Sequence, residues 1–284
     1  MYKTKKVILL MILMLAVTFG ALKVINIGSE FTAEKLLYKT LDVYKNIPFG
    51  ADEQFLGMQM QVEVNLKSII SRFPGGDSTK AAHLNLAGLY LEVEKYNEAI
   101  SVADEILDKY KNDTHASSRA QFIKGVSYER KGKWSRALDE FKILQKNYPK
   151  TRLSLEIPLY ILRHYKRSGE TDQLNKRAQR VIAYYDRIIV KYKGGPLGYY
   201  AGNMLVQTYM VLDRYEEAGS VLKNMIVIYP EMLAVRQLPY VDLIFVKTLK
   251  KPEEALEIYR YIVVNTKDHR LKKFLEAKID ELEL

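Results

Sequence analysis

One spacing recurs along this chain and constrains its fold more than any other feature. In "GKWSRALDEFKILQKNYP", residues 132–149, an aromatic at Trp134 is followed by Ala137, Phe141, Leu144 and a closing Tyr148-Pro149. The frame returns in "GLYLEVEKYNEAISVADEILDKY", with Tyr90, Tyr96, Ala99 and Tyr110 at the same offsets. It returns again in "QTYMVLDRYEEAGSVLKNMIVIYP", with Tyr209, Tyr215, Ala218, Tyr229 and Pro230. A fourth copy, "LKKPEEALEIYRYIV", keeps Ala255 and Tyr259 but has Pro252 at the turn. The small residues at 99, 137, 218 and 255 lie 38, 81 and 37 residues apart, so the long gap holds two units. Counting back from Tyr192 in "RVIAYYDRIIVKY" puts the missing small position at Val181. A further degenerate unit ends in "SIISRFP" at Pro74.

Each position has a physical job. The small residue lets the second helix of a pair approach the first, where a larger side chain would push the two apart. The aromatic three residues earlier sits in the first turn of that second helix. Apolar residues four and seven positions on continue the same face at helical spacing. Pro149 and Pro230 end the helix. One helical pair cannot bury its apolar face alone, so neighbouring pairs must stack. The expected fold is all-α, an α-solenoid of helix-turn-helix repeats preceded by one hydrophobic N-terminal helix, with no β-sheet. The clearest units are 80–113, 118–151 and 199–232; the degenerate ones are about 33–74, 155–195 and 236–269. The pairs should break near 95, 132, 169, 213 and 250.

The N-terminus reads differently. "MYKTKKVILLMILMLAVTFGALKVINIG", residues 1–28, joins a basic start to an apolar run from Val7 to Leu22. Such a segment is a signal peptide or a signal anchor. Sixteen helical residues reach roughly 24 Å, and with Lys23 snorkelling and Val24 to Ile27 added the run approaches the ~20 residues that span a bilayer. The small-x-small cleavage pattern is poor, which favours an anchor. Lys3, Lys5 and Lys6 then leave the N-terminus in the cytoplasm and residues 29–284 on the far side of the inner membrane, in the periplasm. Cleavage would instead release that repeat domain.

The unit from Ser118 to Thr151 places Gly125, Tyr128, Ala137, Phe141 and Pro149 in an order of small, aromatic, small, aromatic and proline. In this it resembles the tetratricopeptide repeat family. The unit from Lys80 matches at Leu86, Ala87, Tyr90 and Ala99, with Lys111 in place of the proline. The resemblance covers about residues 52–266 and implies a right-handed superhelix whose concave face, lined by the first helix of each pair, binds a protein or peptide. Periods of 37 and 38 with "YP" endings are similar to those of periplasmic assembly-factor lipoproteins of the outer-membrane β-barrel machinery and of Tol-Pal-associated periplasmic proteins. The chain has no cysteine, so it cannot carry the lipid-modified cysteine of those lipoproteins.

Signs of catalysis are sparse. His83, His115, His164 and His269 stand alone, without the H-E-x-x-H spacing of a zinc enzyme, and read as surface or helix-start residues. "KGGPLGYYAG" lacks the lysine-serine ending of a phosphate loop. No catalytic residue, cofactor or metal ligand is expected. The reading is a non-enzymatic protein–protein interaction scaffold of the bacterial envelope. Its alternatives are a dedicated envelope or outer-membrane assembly adaptor and an accessory subunit of an envelope enzyme. Candidate groove residues are Asn85, Tyr90, Gln121, Tyr128, Asn203, Gln207 and Tyr209, because amides and phenols can grip an extended backbone.

One charged feature stands out. Net charge is +10, and residues 150–193 hold eleven Lys/Arg against four acids. Lys176, Arg180, Arg187 and Lys191 fall on one face of a helix. They would suit an acidic partner segment or anionic lipid. Nucleic acid is not implied by so mild an excess elsewhere.

Overall fold

The computed structural model describes residues 29–47, 53–229 and 237–283, and every regular element among them is helical. The chain divides into two compact units, Met1–Ser154 and Leu155–Leu284. The first holds α1 (residues 29–45), α2 (Glu53–Arg72), α3 (Asp77–Glu92), α4 (Tyr96–Lys109), α5 (Thr114–Arg130) and α6 (Trp134–Asn147). Next comes α7 (Arg152–Ser168), which crosses the boundary. The second unit continues with α8 (Thr171–Lys191), α9 (Pro196–Val211), α10 (Tyr215–Ile228), α11 (Leu238–Val241), α12 (Pro252–Asn265) and α13 (His269–Glu283). A π-helix, Asp242–Thr248, extends α11. None of the described helices is long and apolar enough to cross a membrane. The apolar run of residues 7–22 lies outside the described residues.

The turn inside each pair follows from one backbone conformation. Glu94, Gly132, Gly169, Asp213 and Lys250 all have positive φ, from 57° to 73°, and each sits at one of the expected breaks. A left-handed residue ends a helix because its geometry turns the chain back on the last carbonyls. The next N–H reaches five residues back: Lys133 to the Tyr128 carbonyl at 2.8 Å, Glu170 to Tyr165 at 3.0 Å, Arg214 to Tyr209 at 2.9 Å. Gly132 and Gly169 adopt this conformation freely, whereas the other three are strained by their Cβ atoms.

Five residues beyond each turn lies the small position. Ala99, Ala137, Ala218 and Ala255 are all completely buried. Against the Ala137 joint, Gly125 lets α5 accept the ring of Phe141: a Cβ at Gly125 would stand 2.3 Å from its Cε1. The edge of Trp134 meets the same ring, with centroids 6.2 Å apart.

The fifth copy corrects the sequence frame. Five residues beyond Gly169 is Leu174, not Val181, and Leu174 is buried. Val181 occupies the position seven residues further on, equivalent to Leu144, and Tyr185 the position equivalent to Tyr148. The helix does not stop there. It runs two more turns to Lys191, making α8 21 residues long against 14 for α4, α6, α10 and α12. The repeat interval after Leu174 is therefore 44 residues, and counting back from Tyr192 misplaced the joint by those two turns.

Tyr185 has a second task. Pro158 inside α7 supplies no N–H and interrupts the helical ladder. The fully buried Tyr185 hydroxyl donates to the Leu155 carbonyl at 2.7 Å and accepts the Leu159 N–H at 3.3 Å. It thus bridges a pair of backbone groups that a straight helix would join directly.

Candidate functional site

In the first unit the helices enclose a cleft of about 670 Å³. α3 contributes Asn85, Gly88, Leu89 and Glu92; α5 contributes Arg119; α2 contributes Phe55 and Gln59; α1 and the residues after it contribute Tyr44, Lys45 and Ile47. The placement is a consequence of the repeat. The flank of α3 that adjoins the buried Ala82 and Leu86 lines the cleft, and α1 runs alongside it. Glu30 Oε1 accepts the Ser78 N–H at 2.9 Å near one end, and the Tyr44 hydroxyl donates to Glu92 Oε2 at 2.5 Å near the other. Burial, followed by the Glu92 hydrogen bond, pushes the Tyr44 phenol well above its ordinary value. It therefore stays a neutral donor at the end of the cleft.

The cleft combines an apolar floor with hydrogen-bonding and charged walls. Ile47, Phe55 and Leu89 supply the apolar surface. Asn85 uses one N–H on the Ala81 carbonyl, at 2.8 Å, which holds the amide in place one turn from Gly88. Arg119 is exposed. A Cβ on Gly88 would meet nothing within 4 Å, so the helix backbone itself is open to the cleft there.

The other candidate residues have separate surroundings. Tyr90 is buried; its hydroxyl donates to Glu63 at 2.9 Å, and the ammonium groups of Lys67 and Lys95 lie 5.8 and 5.5 Å from its ring centre. Burial pushes the Glu63 carboxyl up, but hydrogen bonds from Lys67, Lys95 and Tyr90 outweigh it and hold the group down at about 2. Gln121 is buried and donates to the Glu140 carboxylate. Tyr128 is half-buried beneath the Arg136 guanidinium, 5.8 Å from its ring centre. In the second unit Asn203 accepts from Gln237, Gln207 accepts from Arg163 at 2.6 Å, and Tyr209 stacks under Arg214 at 4.9 Å. Asn85 alone among these seven lines the cleft. Arg119, Gln59 and Phe55 escaped the sequence reading, because nothing in the repeat frame marks the residues that α1, α2 and α5 turn toward α3.

The basic residues are on one helix. Lys176, Arg180, Arg187 and Lys191 all lie on α8 and all are exposed. Among the described residues none of them has a carboxylate within ion-pair distance; Lys191 sits 5.3 Å from the ring centre of Tyr192. Arg187 and Lys191 belong to the two additional turns.

His83 departs from its expected surface position. It is 1% exposed, and its Nδ1 lies 2.9 Å from the Thr79 carbonyl, which fixes the proton on that nitrogen. The Tyr110 hydroxyl is 3.1 Å from Nδ1; on the other side Lys109 Nζ is 3.5 Å and Glu105 Oε2 3.8 Å from Nε2. Burial, reinforced by Lys109, pulls the imidazole below its ordinary value. It is a neutral residue of the core, missed because it occupies an apolar face without a sequence neighbour of similar chemistry.

Helical hairpins in register, with alanine joints and left-handed turns, define this molecule as a helical-repeat protein. Residues 119–151 match the family model for the tetratricopeptide repeat. That match spans one hairpin, α5 and α6, and is a likeness to the tetratricopeptide repeat over that segment. A solved tetratricopeptide repeat protein from Parabacteroides merdae ATCC 43184 is similar over 89% of this chain and 99% of its own, at 13% identity and a TM-score of 0.34. That likeness is too loose to bear on the site. No curated protein matches the chain significantly.

Proposed function

We propose that the protein is a non-enzymatic scaffold of the bacterial envelope whose first unit binds an extended segment of a partner protein. The observation that carries this reading is the α1–α3–α5 cleft, where Arg119 and the Asn85 amide face a channel floored by Ile47, Phe55 and Leu89. An extended chain offers the carbonyl and N–H groups that Asn85 can bond. An apolar side chain of that partner would cover the floor, and an acidic one would meet Arg119. The segment 7–22 anchors the scaffold in the inner membrane, with residues 29–284 outside the cytoplasm. The envelope setting and the basic segment point to a partner with acidic character.

Gly88→Leu tests the cleft. The side chain would project into open space, and glycine is a poor helix former, so the variant should melt at or above the wild-type temperature. It should nevertheless lose the protein that co-purifies with wild type from detergent-solubilised membranes. Retention of the same partner at the same yield would remove the cleft from the mechanism. For location, protease added to spheroplasts should digest residues 30–284; protection of that region would reverse the topology.

A further inference from the structure

The outward faces of the first two helices carry an unusual load. In α1, Phe31 and Tyr38 are 66% and 74% exposed; in α2, Leu56, Met60 and Val64 are 53%, 67% and 62% exposed. These are five of the twelve large apolar side chains that the described structure leaves exposed, gathered on its first two helices. They are not stray. Both helices feed one core, through Ala33 and Leu37 of α1 and Val62, Leu66 and Ile69 of α2. At about 100° per residue, Phe31 and Tyr38 lie on the side of α1 opposite its core residues, and Leu56, Met60 and Val64 on the side of α2 opposite its own. A first repeat exposed to water ordinarily has a polar outer face. This one has aromatic and aliphatic residues interleaved with the exposed Lys35 and Lys39, and with the exposed Glu34 and Asp42.

We infer that this outward face of α1 and α2 lies on the surface of the bilayer. The inference rests on the proposal that residues 7–22 are membrane-inserted. The apolar run ends at Leu22, and α1 is already helical by residue 29, so Phe31 follows the run by nine residues. An aromatic belt with lysines beside it is the composition that settles at the level of lipid headgroups, the rings in the interface and the ammonium groups reaching to water. A fold-back of residues 7–22 would cover the stripe with a segment that is apolar all round and leave its far side wet. The consequence is mechanical: the first repeat is held against the membrane rather than swinging on a flexible tether.

The chain has no cysteine, so single nitroxide labels can be placed in an otherwise native full-length protein. Phe31→Cys, Tyr38→Cys and Met60→Cys report the stripe; Leu15→Cys reports the anchor; Ile143→Cys, on α6 of the same unit, reports an ordinary exposed site. Each is reconstituted into phosphatidylcholine vesicles, with and without phosphatidylglycerol. Depth is read from accessibility to oxygen against a polar nickel complex. The labels at 31, 38 and 60 should sit ~5–10 Å inside the headgroup boundary, the range of interfacial helices, while that at 143 stays in water. A deep label at 15 with aqueous labels at 31, 38 and 60 would overturn this inference and leave the anchor standing. An aqueous label at 15 would overturn both. Spin–spin broadening between copies labelled at Met60 would assign the face to a second copy instead, and the inference would fall.

Discussion

The α5/α6 pair and the α7/α8 pair are built on one frame and solve it differently. In the first, the joint is a buried alanine, the turn is a glycine, and helix α6 ends on schedule at its tyrosine. In the second, the joint is Leu174, the first helix is interrupted by Pro158, and α8 overruns its tyrosine by two turns. The deviations are coupled. A leucine at the joint takes the room that alanine gives up, and the tyrosine that should close the helix enters the broken ladder of α7 as a bridge. The frame thus fixes where helices turn, while side-chain volume and backbone satisfaction decide how closely they approach. The overrun leaves Arg187 and Lys191 on turns that the regular pair lacks.

Opposite substitutions at the two joints should break the comparison most sharply. Leu174→Ala should cost about 2–5 kcal/mol by leaving a cavity. Ala137→Leu should cost about 1–3 kcal/mol by overpacking. Denaturant unfolding of the two variants checks both. If Leu174→Ala were neutral, the regular pair's geometry would be available to α7/α8 after all. Next in size is Tyr185→Phe, which leaves the Leu155 carbonyl and the Leu159 N–H without their bridge and should cost about 1–3 kcal/mol. No corresponding loss is expected from Tyr148→Phe, because among the described residues its hydroxyl bridges no backbone groups of α5.

The turns give a smaller and signed contrast. Gly132→Ala should destabilise by about 1 kcal/mol, whereas Glu94→Gly should stabilise by a similar amount or less, because both residues are left-handed. Paired melting curves would show opposite shifts. His83 predicts a pH dependence confined to the first unit. Its pKa is depressed on folding, so the unfolded chain takes up the proton first. Its contribution to stability is complete above the ordinary value of about 6.5 and falls away as pH drops from there through the folded-state value. His83→Gln should flatten that part of the profile; an unchanged slope would place the proton elsewhere. Smallest of all, changing Lys176, Arg180, Arg187 and Lys191 together to Glu should scarcely shift the melting temperature, since all four are exposed. If the face binds an acidic partner or anionic lipid, the same change should abolish binding, and raising salt should weaken it in wild type.

Much of the fold was legible because its repeated parts are local. The aromatic, the alanine and the left-handed turn lie within a few residues of one another, so the breaks and the alanine joints could be placed from spacing alone. Leu174 was not legible: α8 contains Tyr184 and Tyr185 and is followed by Tyr192, and spacing cannot say which of them ends the helix. The cleft was less legible still. Asn85 was nominated because it lies on the first helix of a pair, but Gln59 and Phe55 of α2 and Arg119 of α5 line the same cleft from two other helices. Tyr90 and Gln121 share its helical position type, yet each is drawn inward by a carboxylate, Glu63 or Glu140, that lies far away in sequence.

The central claim is that the regular first unit, through its α1–α3–α5 cleft, holds a partner chain. Site-specific photocrosslinking in intact cells tests it most directly, with benzoylphenylalanine placed singly at Gln59, Asn85 and Arg119, and at Asp108 and Ile143 as exposed positions outside the cleft. The account predicts one discrete adduct common to the three cleft positions, absent at 108 and 143, and lost from positions 59 and 119 when Gly88→Leu is added. Adducts of equal yield at all five positions, or cleft adducts that survive Gly88→Leu, would contradict it.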